Sequence, residues 1–176
     1  MAYEKYIFIT NGMGGSGKDT FAEILDDFIP VYKVSSIDVI KDFASSFGWD
    51  GGKTEKDRKF LSDLKVLATK YSDLPFKSIF HEVRWFKTSS SYHYLNGSVM
   101  LIDIREPAEI ERAKVTFGAE TILIKNDRVP FISSNMADAN VYNYEYDYVI
   151  ENNGTLEEFR ETVKRFAEDV LGVKGD

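Results

Sequence analysis

The sequence contains no cysteine among its 176 residues. This absence excludes disulfide frameworks, thiolate zinc sites and cysteine nucleophiles, and it is compatible with a reducing compartment. No uninterrupted apolar run approaches the length of a membrane-spanning helix, and no signal peptide is evident. We therefore expect a soluble, cytoplasmic protein without a membrane partner.

Positive charge is also scarce. Lys and Arg number 22 against 29 Asp and Glu, which gives a formal net charge of −7. A surface of this sign disfavours a nucleic acid polymer as partner, although a local cationic cleft can still hold a small phosphate ester. The cations concentrate between Lys41 and Lys87, where most are expected to solvate helix faces. The two histidines, His81 and His93, lack metal-ligand spacing, and nothing indicates an oligomeric state.

The most informative segment is a glycine-rich stretch over residues 12–20, GMGGSGKDT. It follows an apolar run and precedes a helical pattern, which is the context of a phosphate-binding loop. Gly12 and Gly17 allow a tight turn whose backbone N–H groups point inward, the next helix adds its positive end, and Lys18 can reach the terminal phosphates. The predicted ATP phosphate-binding residues are Gly12, Gly14, Gly15, Ser16, Gly17, Lys18, Asp19 and Thr20.

One position departs from the pattern G-x-x-x-x-G-K-[ST], because Asp19 stands where a hydroxyl residue normally helps to hold Mg²⁺. A carboxylate about 4 Å from a phosphate oxygen is repelled by roughly 4 kcal/mol per unit charge at an effective dielectric constant of about 20. An intact site therefore requires a cation between the two groups, and we expect magnesium. The Thr20 hydroxyl is available for a phosphate oxygen or for the metal shell. The alternative is that Asp19 only favours the helix N-terminus by charge–dipole attraction.

The same glycines also spell G-x-G-x-x-G at Gly12, Gly14 and Gly17. Asp38 follows the next apolar stretch, where a dinucleotide-binding fold places its ribose-binding acid. A nicotinamide-dependent dehydrogenase is therefore an alternative. Lys18 and the polar pair after it count against this interpretation, because a pyrophosphate-binding turn does not need them.

The rest of the chain alternates strand and helix patterns. Apolar runs predict strands near residues 6–10, 31–34, 99–104, 121–124 and 148–150. Three helices are expected between the second and third strands, the first capped by Ser35 or Ser36 and the second opened by a capping box of Thr54 and Asp57. This order predicts a single α/β domain of three layers, in which a mostly parallel five-stranded sheet is covered by helices on both faces.

Asp103 and Arg105 carry the next chemical signal. Asp103 ends a buried strand, where open α/β sheets place their ligands, and it is positioned to orient magnesium or its water. Arg105 can hold the phosphate of an acceptor in a two-point grip. The alternative is that Asp103 caps a backbone turn while Arg105 pairs with Glu106 or Glu109.

Four blocks together resemble the deoxynucleoside monophosphate kinases of phages and their bacterial relatives, and more broadly the adenylate kinase-like P-loop enzymes. They are SGKDT at residues 16–20, FGWDG at residues 47–51 with Lys53 and Thr54, IDIREP at residues 102–107 and NGTLEE at residues 153–158. The likeness covers most of the chain. It implies a P-loop kinase fold, with ATP as co-substrate and Mg²⁺ as cofactor, and transfer of the γ-phosphoryl group to the 5′-phosphate of a nucleotide.

By this resemblance, Lys18 and the loop amides neutralise the donor and Arg105 meets the acceptor phosphate, while Asp19, Thr20 and Asp103 serve the metal. Helices within an insert over about residues 36–90 would form the acceptor pocket.

Arg58 and Lys41 are further candidates for acceptor binding in that insert. The alternative for each is a surface cation that only solvates its helix.

The chain departs from the family after Lys125, in a lid-like segment over about residues 126–147. Arg128 is the one Lys or Arg in this segment, and is the candidate lid residue. Alternating tyrosines at 142, 144, 146 and 148 predict a strand face packed on the core, with a base-stacking platform as the alternative.

Three classes of function remain open beside a nucleoside or deoxynucleoside monophosphate kinase. They are a kinase for another small acceptor such as dephospho-coenzyme A, a non-catalytic nucleotide-binding domain whose acidic lid no longer closes over ATP, and the dehydrogenase.

Overall fold

A computed structural model describes residues 4–89, 98–130 and 140–173. The strands are β1 (Lys5–Asn11), β2 (Val31–Ser35), β3 (Ser98–Asp103), β4 (Glu120–Lys125) and β5 (Tyr148–Glu151). The helices are α1 (Lys18–Asp26), α2 (Asp38–Ser46), α3 (Glu55–Ser72), α4 (Leu74–Thr88), α5 (Pro107–Phe117) and α6 (Leu156–Leu171). Within these ranges, no helix has the length and apolar character needed to cross a bilayer.

The five strands form one parallel sheet in the order β2-β3-β1-β4-β5. Strands β1 and β3 lie at its centre and are almost continuously buried, as expected for strands covered on both faces. Their register places Ile9 beside Ile102 and Thr10 beside Asp103. Because parallel strands end at the same edge, polar residues at the ends of β1 and β3 meet there. The predicted five-stranded, mostly parallel sheet is confirmed.

Helices cover both faces of this sheet. On one face, α1 and α6 contribute Phe21, Leu25, Phe159 and Phe166 to a buried cluster with Phe8 of β1. Burial of each such side chain stabilises the fold by about 2 kcal/mol. On the other face, α5 contacts β1 and β4. The predicted three-layer α/β architecture is thus confirmed.

Residues Val34–Thr88 form a compact unit of their own, apart from the unit made by the rest of the chain. It contains α2, α3 and α4, which pack against one another. The capping box that opens α3 is confirmed, because Thr54 and Asp57 exchange their hydrogen bonds. The predicted cap of α2 by Ser35 or Ser36 is wrong. That helix begins at Asp38, whose carboxylate accepts a hydrogen bond from the Ser35 N–H at 2.7 Å.

Candidate active site

The glycine-rich stretch forms a tight loop between β1 and α1, here called the phosphate-binding loop (residues 12–20) after its predicted role. Gly12, Gly15 and Gly17 have φ angles of 156°, 83° and 101°, a region that favours glycine. A Cβ atom on Gly12 would lie 2.5 Å from the main-chain oxygen of Ile124 and 2.6 Å from Ser16 Oγ. The close approach of the backbone to β4 therefore requires glycine at the start of the loop.

The loop leads into α1 at a helix N-terminus that suits an anion. Gly17 is the left-handed N-cap residue and contributes no capping side chain, while the N–H of Phe21 makes the first helical bond, to the Gly17 oxygen at 2.8 Å. The hydroxyl of Ser16 is buried and has no hydrogen-bond partner in the part of the chain that the structure describes. The helix dipole and the N–H groups of a first turn attract negative charge. Gly14 and Gly15 are exposed, so the loop is open to solvent at its tip.

Lys18 is the first residue of α1, and its ammonium folds back onto the phosphate-binding loop. Nζ donates to the main-chain oxygen of Gly12 at 2.6 Å and to that of Met13 at 3.2 Å. Both acceptors belong to the loop, so the positive charge is held against the loop main chain. This position suits a charge-assisted hydrogen bond to an anion that binds the loop.

Asp19 and Asp103, the two predicted metal-site carboxylates, share a cationic partner in Lys33 of β2. Lys33 Nζ contacts Asp19 Oδ1 and lies 3.1 Å from Asp103 Oδ2. Thr10 Oγ1 donates to the other oxygen of Asp103, Oδ1. The Asp103 side chain is 18% exposed and that of Asp19 is 86% exposed. Burial lowers the pKa of Lys33, but the two carboxylates outweigh it and the net shift is upward, so the ammonium stays charged.

The donor set at this position fits magnesium whose remaining ligands come from outside the chain. Within the described ranges, no group of three or more His, Cys, Asp or Glu side chains is arranged to hold a metal ion. Mg²⁺ in phosphoryl-transfer sites is usually bound by one or two carboxylates, with phosphate and water completing its shell. Asp19 and Asp103 present two carboxylate oxygens to a single cation, the Lys33 ammonium, and so meet that requirement. Thr20 lies half-buried in the same turn as Asp19.

Asn11, fully buried at the end of β1, joins the phosphate-binding loop to two other segments. Its Oδ1 accepts from the Gly12 N–H at 2.8 Å, and its Nδ2 donates to the main-chain oxygen of Arg105 at 3.2 Å and to Tyr146 Oη at 2.8 Å. Tyr146 in turn donates to the Val141 oxygen at 2.8 Å. Burial raises the pKa of Tyr146 to about 12, so the hydroxyl stays protonated at neutral pH. The network fixes the main chain of Arg105, the predicted acceptor-phosphate residue, beside the loop.

The segments after β4 and β5 also meet near the phosphate-binding loop. Asn152, directly after β5, donates from Nδ2 to the main-chain oxygen of Ser16 at 2.9 Å. Arg128, the predicted lid residue, donates to the main-chain oxygens of Asn152 and Gly154 at 3.3 and 2.8 Å. The guanidinium therefore lies against the turn that precedes α6, and its role as a lid cation stays a prediction.

The other acceptor candidates belong to the smaller unit. Lys41 of α2 lies 3.6 Å from Asp38 Oδ1, and Arg58 of α3 is exposed. The role of the helical insert over about residues 36–90 in binding an acceptor stays a prediction, as does that of these two cations.

The predicted strand face of alternating tyrosines is wrong for most of its length. Tyr142 lies in a 3-10 turn, Tyr144 and Tyr146 follow it outside any strand, and Tyr148 alone belongs to β5. Tyr146 nevertheless packs against a buried cluster that includes Met13 of the phosphate-binding loop. Residues 131–139 of the predicted lid-like segment lie outside the described residues.

Four site residues escape the sequence patterns: Lys33, Thr10, Asn11 and Asn152. Thr10 and Asn11 do carry a signal, because polar side chains at the end of a buried strand point to a ligand-binding edge. Lys33 has no comparable local signal, since a lysine on an edge strand is ordinarily a solvated residue.

No protein-family model and no curated protein sequence matches the chain. Solved structures do. The tunicamycin resistance protein of Deinococcus radiodurans superposes with a TM-score of 0.55 at 12% identity, covering 97% of this chain and 98% of that one. The dephospho-CoA kinase of Campylobacter jejuni superposes with a TM-score of 0.51 at 16% identity, covering 94% and 97%. The chain has the P-loop kinase fold. At these identities the similarity establishes the fold alone, and the narrower likeness to deoxynucleoside monophosphate kinases stays a prediction.

The strand order of this P-loop kinase fold argues against the dinucleotide-binding alternative. In a dinucleotide-binding fold the second strand adjoins the first, whereas here β3 lies between β1 and β2. Asp38 opens α2 and binds the Ser35 N–H. The alternative of a dinucleotide-binding fold is therefore wrong, and with it the fold-based reason for a nicotinamide-dependent dehydrogenase is lost.

Proposed function

We propose that this protein is a magnesium-dependent phosphotransferase that moves the γ-phosphoryl group of ATP to a nucleoside or deoxynucleoside monophosphate. One observation carries the proposal: two carboxylates, Asp19 and Asp103, converge on a cation beside a glycine loop that holds Lys18 against its main chain. The loop and lysine suit a polyphosphate, and the carboxylate pair suits the metal that accompanies it.

In this reaction the protein binds and orients the two nucleotides. Lys18 and the loop N–H groups hold the donor phosphates, and Arg105 grips the acceptor phosphate. Asp19 and Asp103 would hold magnesium, and the Thr20 hydroxyl would be available to its shell or to a phosphate oxygen. When bound, magnesium would neutralise the charge that develops on the transferred group.

Direct in-line transfer needs no covalent enzyme intermediate, so positioning and exclusion of water are the tasks left to the chain. Arg58 and Lys41 are proposed to assist at the acceptor side, and Arg128 from the lid side.

A kinase for another small acceptor is the second candidate, because the dephospho-CoA kinase of Campylobacter jejuni shares the fold. A non-catalytic nucleotide-binding domain is the third, because Arg128 is the one Lys or Arg of residues 126–147. An acidic segment of this kind offers little to a triphosphate.

ADP release, measured over a panel of nucleoside monophosphates and dephospho-coenzyme A, tests the proposal. We expect stimulation by at least one monophosphate and a loss of about a hundredfold or more in turnover for Lys18→Ala with the fold retained. Lys59→Ala, which removes an exposed lysine paired with Asp63, is the matched control and should keep its activity. Stimulation by dephospho-coenzyme A alone selects the second candidate, and ATP binding without turnover selects the third.

A further inference from the structure

The ammonium of Lys33 occupies the position between the two candidate metal ligands. Nζ contacts Asp19 Oδ1 and lies 3.1 Å from Asp103 Oδ2, while Asp103 Oδ1 accepts the hydrogen bond of Thr10. A metal held by both carboxylates would compete with the ammonium for them.

The three residues come from three different elements. Asp19 belongs to the first turn of α1, Asp103 ends β3, and Lys33 lies on the edge strand β2. Two carboxylates that converge repel each other unless a cation lies between them. The lysine side chain is 30% exposed, so part of it is already in contact with solvent.

We propose that Lys33 is the resident cation of this site: it holds Asp19 and Asp103 together when no metal is bound, and its ammonium must leave before both carboxylates can ligate a divalent metal. The inference rests on the proposed function, because it takes the carboxylate pair to be the metal site. Metal loading is then an exchange of one cation for another, and Lys33 sets the metal concentration at which the site fills.

Manganese binding to the nucleotide-free protein tests this exchange, followed by the electron paramagnetic resonance signal of unbound Mn²⁺. Lys33→Met keeps the length of the side chain and removes its charge, which deletes the competing cation. We therefore expect Mn²⁺ to bind about tenfold more tightly, equivalent to about 1.4 kcal/mol. Lys33→Arg keeps the charge and should stay near the wild-type affinity.

Lys114→Met is the matched control. Lys114 is 33% exposed and pairs with Asp147 at 2.8 Å in the same unit of the chain, so this variant removes an equally buried, carboxylate-bound charge and should leave Mn²⁺ affinity unchanged. Asp103→Asn in the Lys33→Met background should abolish the gain. Unchanged or weaker Mn²⁺ binding by folded Lys33→Met overturns the exchange, and an equal gain in Lys114→Met overturns it too, because the effect is then one of net charge.

A second measurement keeps the proposal testable if Lys33→Met does not fold. In wild-type protein labelled with ¹⁵N-lysine, the ammonium signal absent from the Lys33→Arg spectrum belongs to Lys33. Addition of Mg²⁺ should shift this signal and spare that of Lys114; no shift of the Lys33 signal overturns the proposal. Neither readout requires turnover. If these tests fail while ADP is released, only the cation exchange is overturned. If they succeed without ADP release, only the proposed function is overturned.

Discussion

Asn152 fixes the phosphate-binding loop at the point where it becomes a helix, through the 2.9 Å hydrogen bond from its Nδ2 to the main-chain oxygen of Ser16. The same amide nitrogen would lie 2.4 Å from a Cβ atom on Gly17. The segment after β5 therefore approaches the loop so closely that a side chain on Gly17 has no room.

Gly17→Ala should disrupt this arrangement in two ways. A φ of 101° strains any residue with a Cβ atom, and the new methyl group collides with Asn152. We expect a loss of at least about 2 kcal/mol in the free energy of unfolding, since strain of this kind alone costs about 1–3 kcal/mol. ATP binding should fall as well, because Asn152 and the loop must move apart. Urea denaturation and nucleotide titration measure the two effects.

Gly118→Ala is the control for backbone strain without a collision. Gly118 has a φ of 65°, and a Cβ atom there would meet nothing within 4 Å. The free energy of unfolding should fall by about 1 kcal/mol, and ATP binding should be unchanged. Equal losses of stability and of ATP binding in the two variants would show that the contact with Asn152 is irrelevant.

Tyr146→Phe should destabilise the protein through Asn11. The buried Asn11 amide loses the acceptor at 2.8 Å, and the Val141 oxygen loses its donor. An unmet hydrogen bond of this kind costs about 1–3 kcal/mol. Tyr144→Phe is the matched control, because the Tyr144 hydroxyl binds the exposed carboxylate of Glu111 and water can replace it. A difference below about 0.5 kcal/mol between the two variants in urea denaturation would contradict the role given to Asn11.

The architecture was predictable because its signals are local. Apolar runs marked the strands, and a capping box at Thr54 marked the start of α3. The tyrosine alternation failed because period-two patterning does not itself supply a partner strand. The Tyr146 hydroxyl instead bonds to Asn11 and to the Val141 oxygen, in a segment outside any strand.

The arrangement of the candidate site was predictable in part, for the same reason. Gly12, Lys18 and Asp19 belong to one motif, and Asp103 follows from the rule that parallel strands end at a common edge. Lys33 could not be found this way. It lies on β2, and β3 separates that strand from β1, which leads into the glycine-rich loop. A single lysine that pairs with residues distant in sequence produces no pattern in the residues next to it.

Asp147 provides a prediction about pH. Its Oδ2 accepts from the N–H and the hydroxyl of Thr121, each at 2.8 Å, and Lys114 binds the same carboxylate. Burial raises the pKa of Asp147, but the hydrogen bonds from Lys114 and Thr121 outweigh it, and the net pKa lies below the ordinary value of 3.8. A lowered carboxyl pKa contributes stability above the unfolded pKa, and that contribution is lost as the pH falls through the folded pKa.

Asp147→Asn should therefore lose about 1.5–3 kcal/mol of unfolding free energy at neutral pH, the usual value for hydrogen bonds to a charged group. Its deficit against the wild type should shrink as the pH falls below 3.8, where the wild-type carboxylate takes up its proton. Asp63→Asn is the control, because Asp63 and its partner Lys59 are 65% and 75% exposed and such pairs contribute less than about 1 kcal/mol. A deficit for Asp147→Asn that stays constant through this acid range would mean that the amide disturbs packing around Thr121, and that the charge of Asp147 contributes nothing.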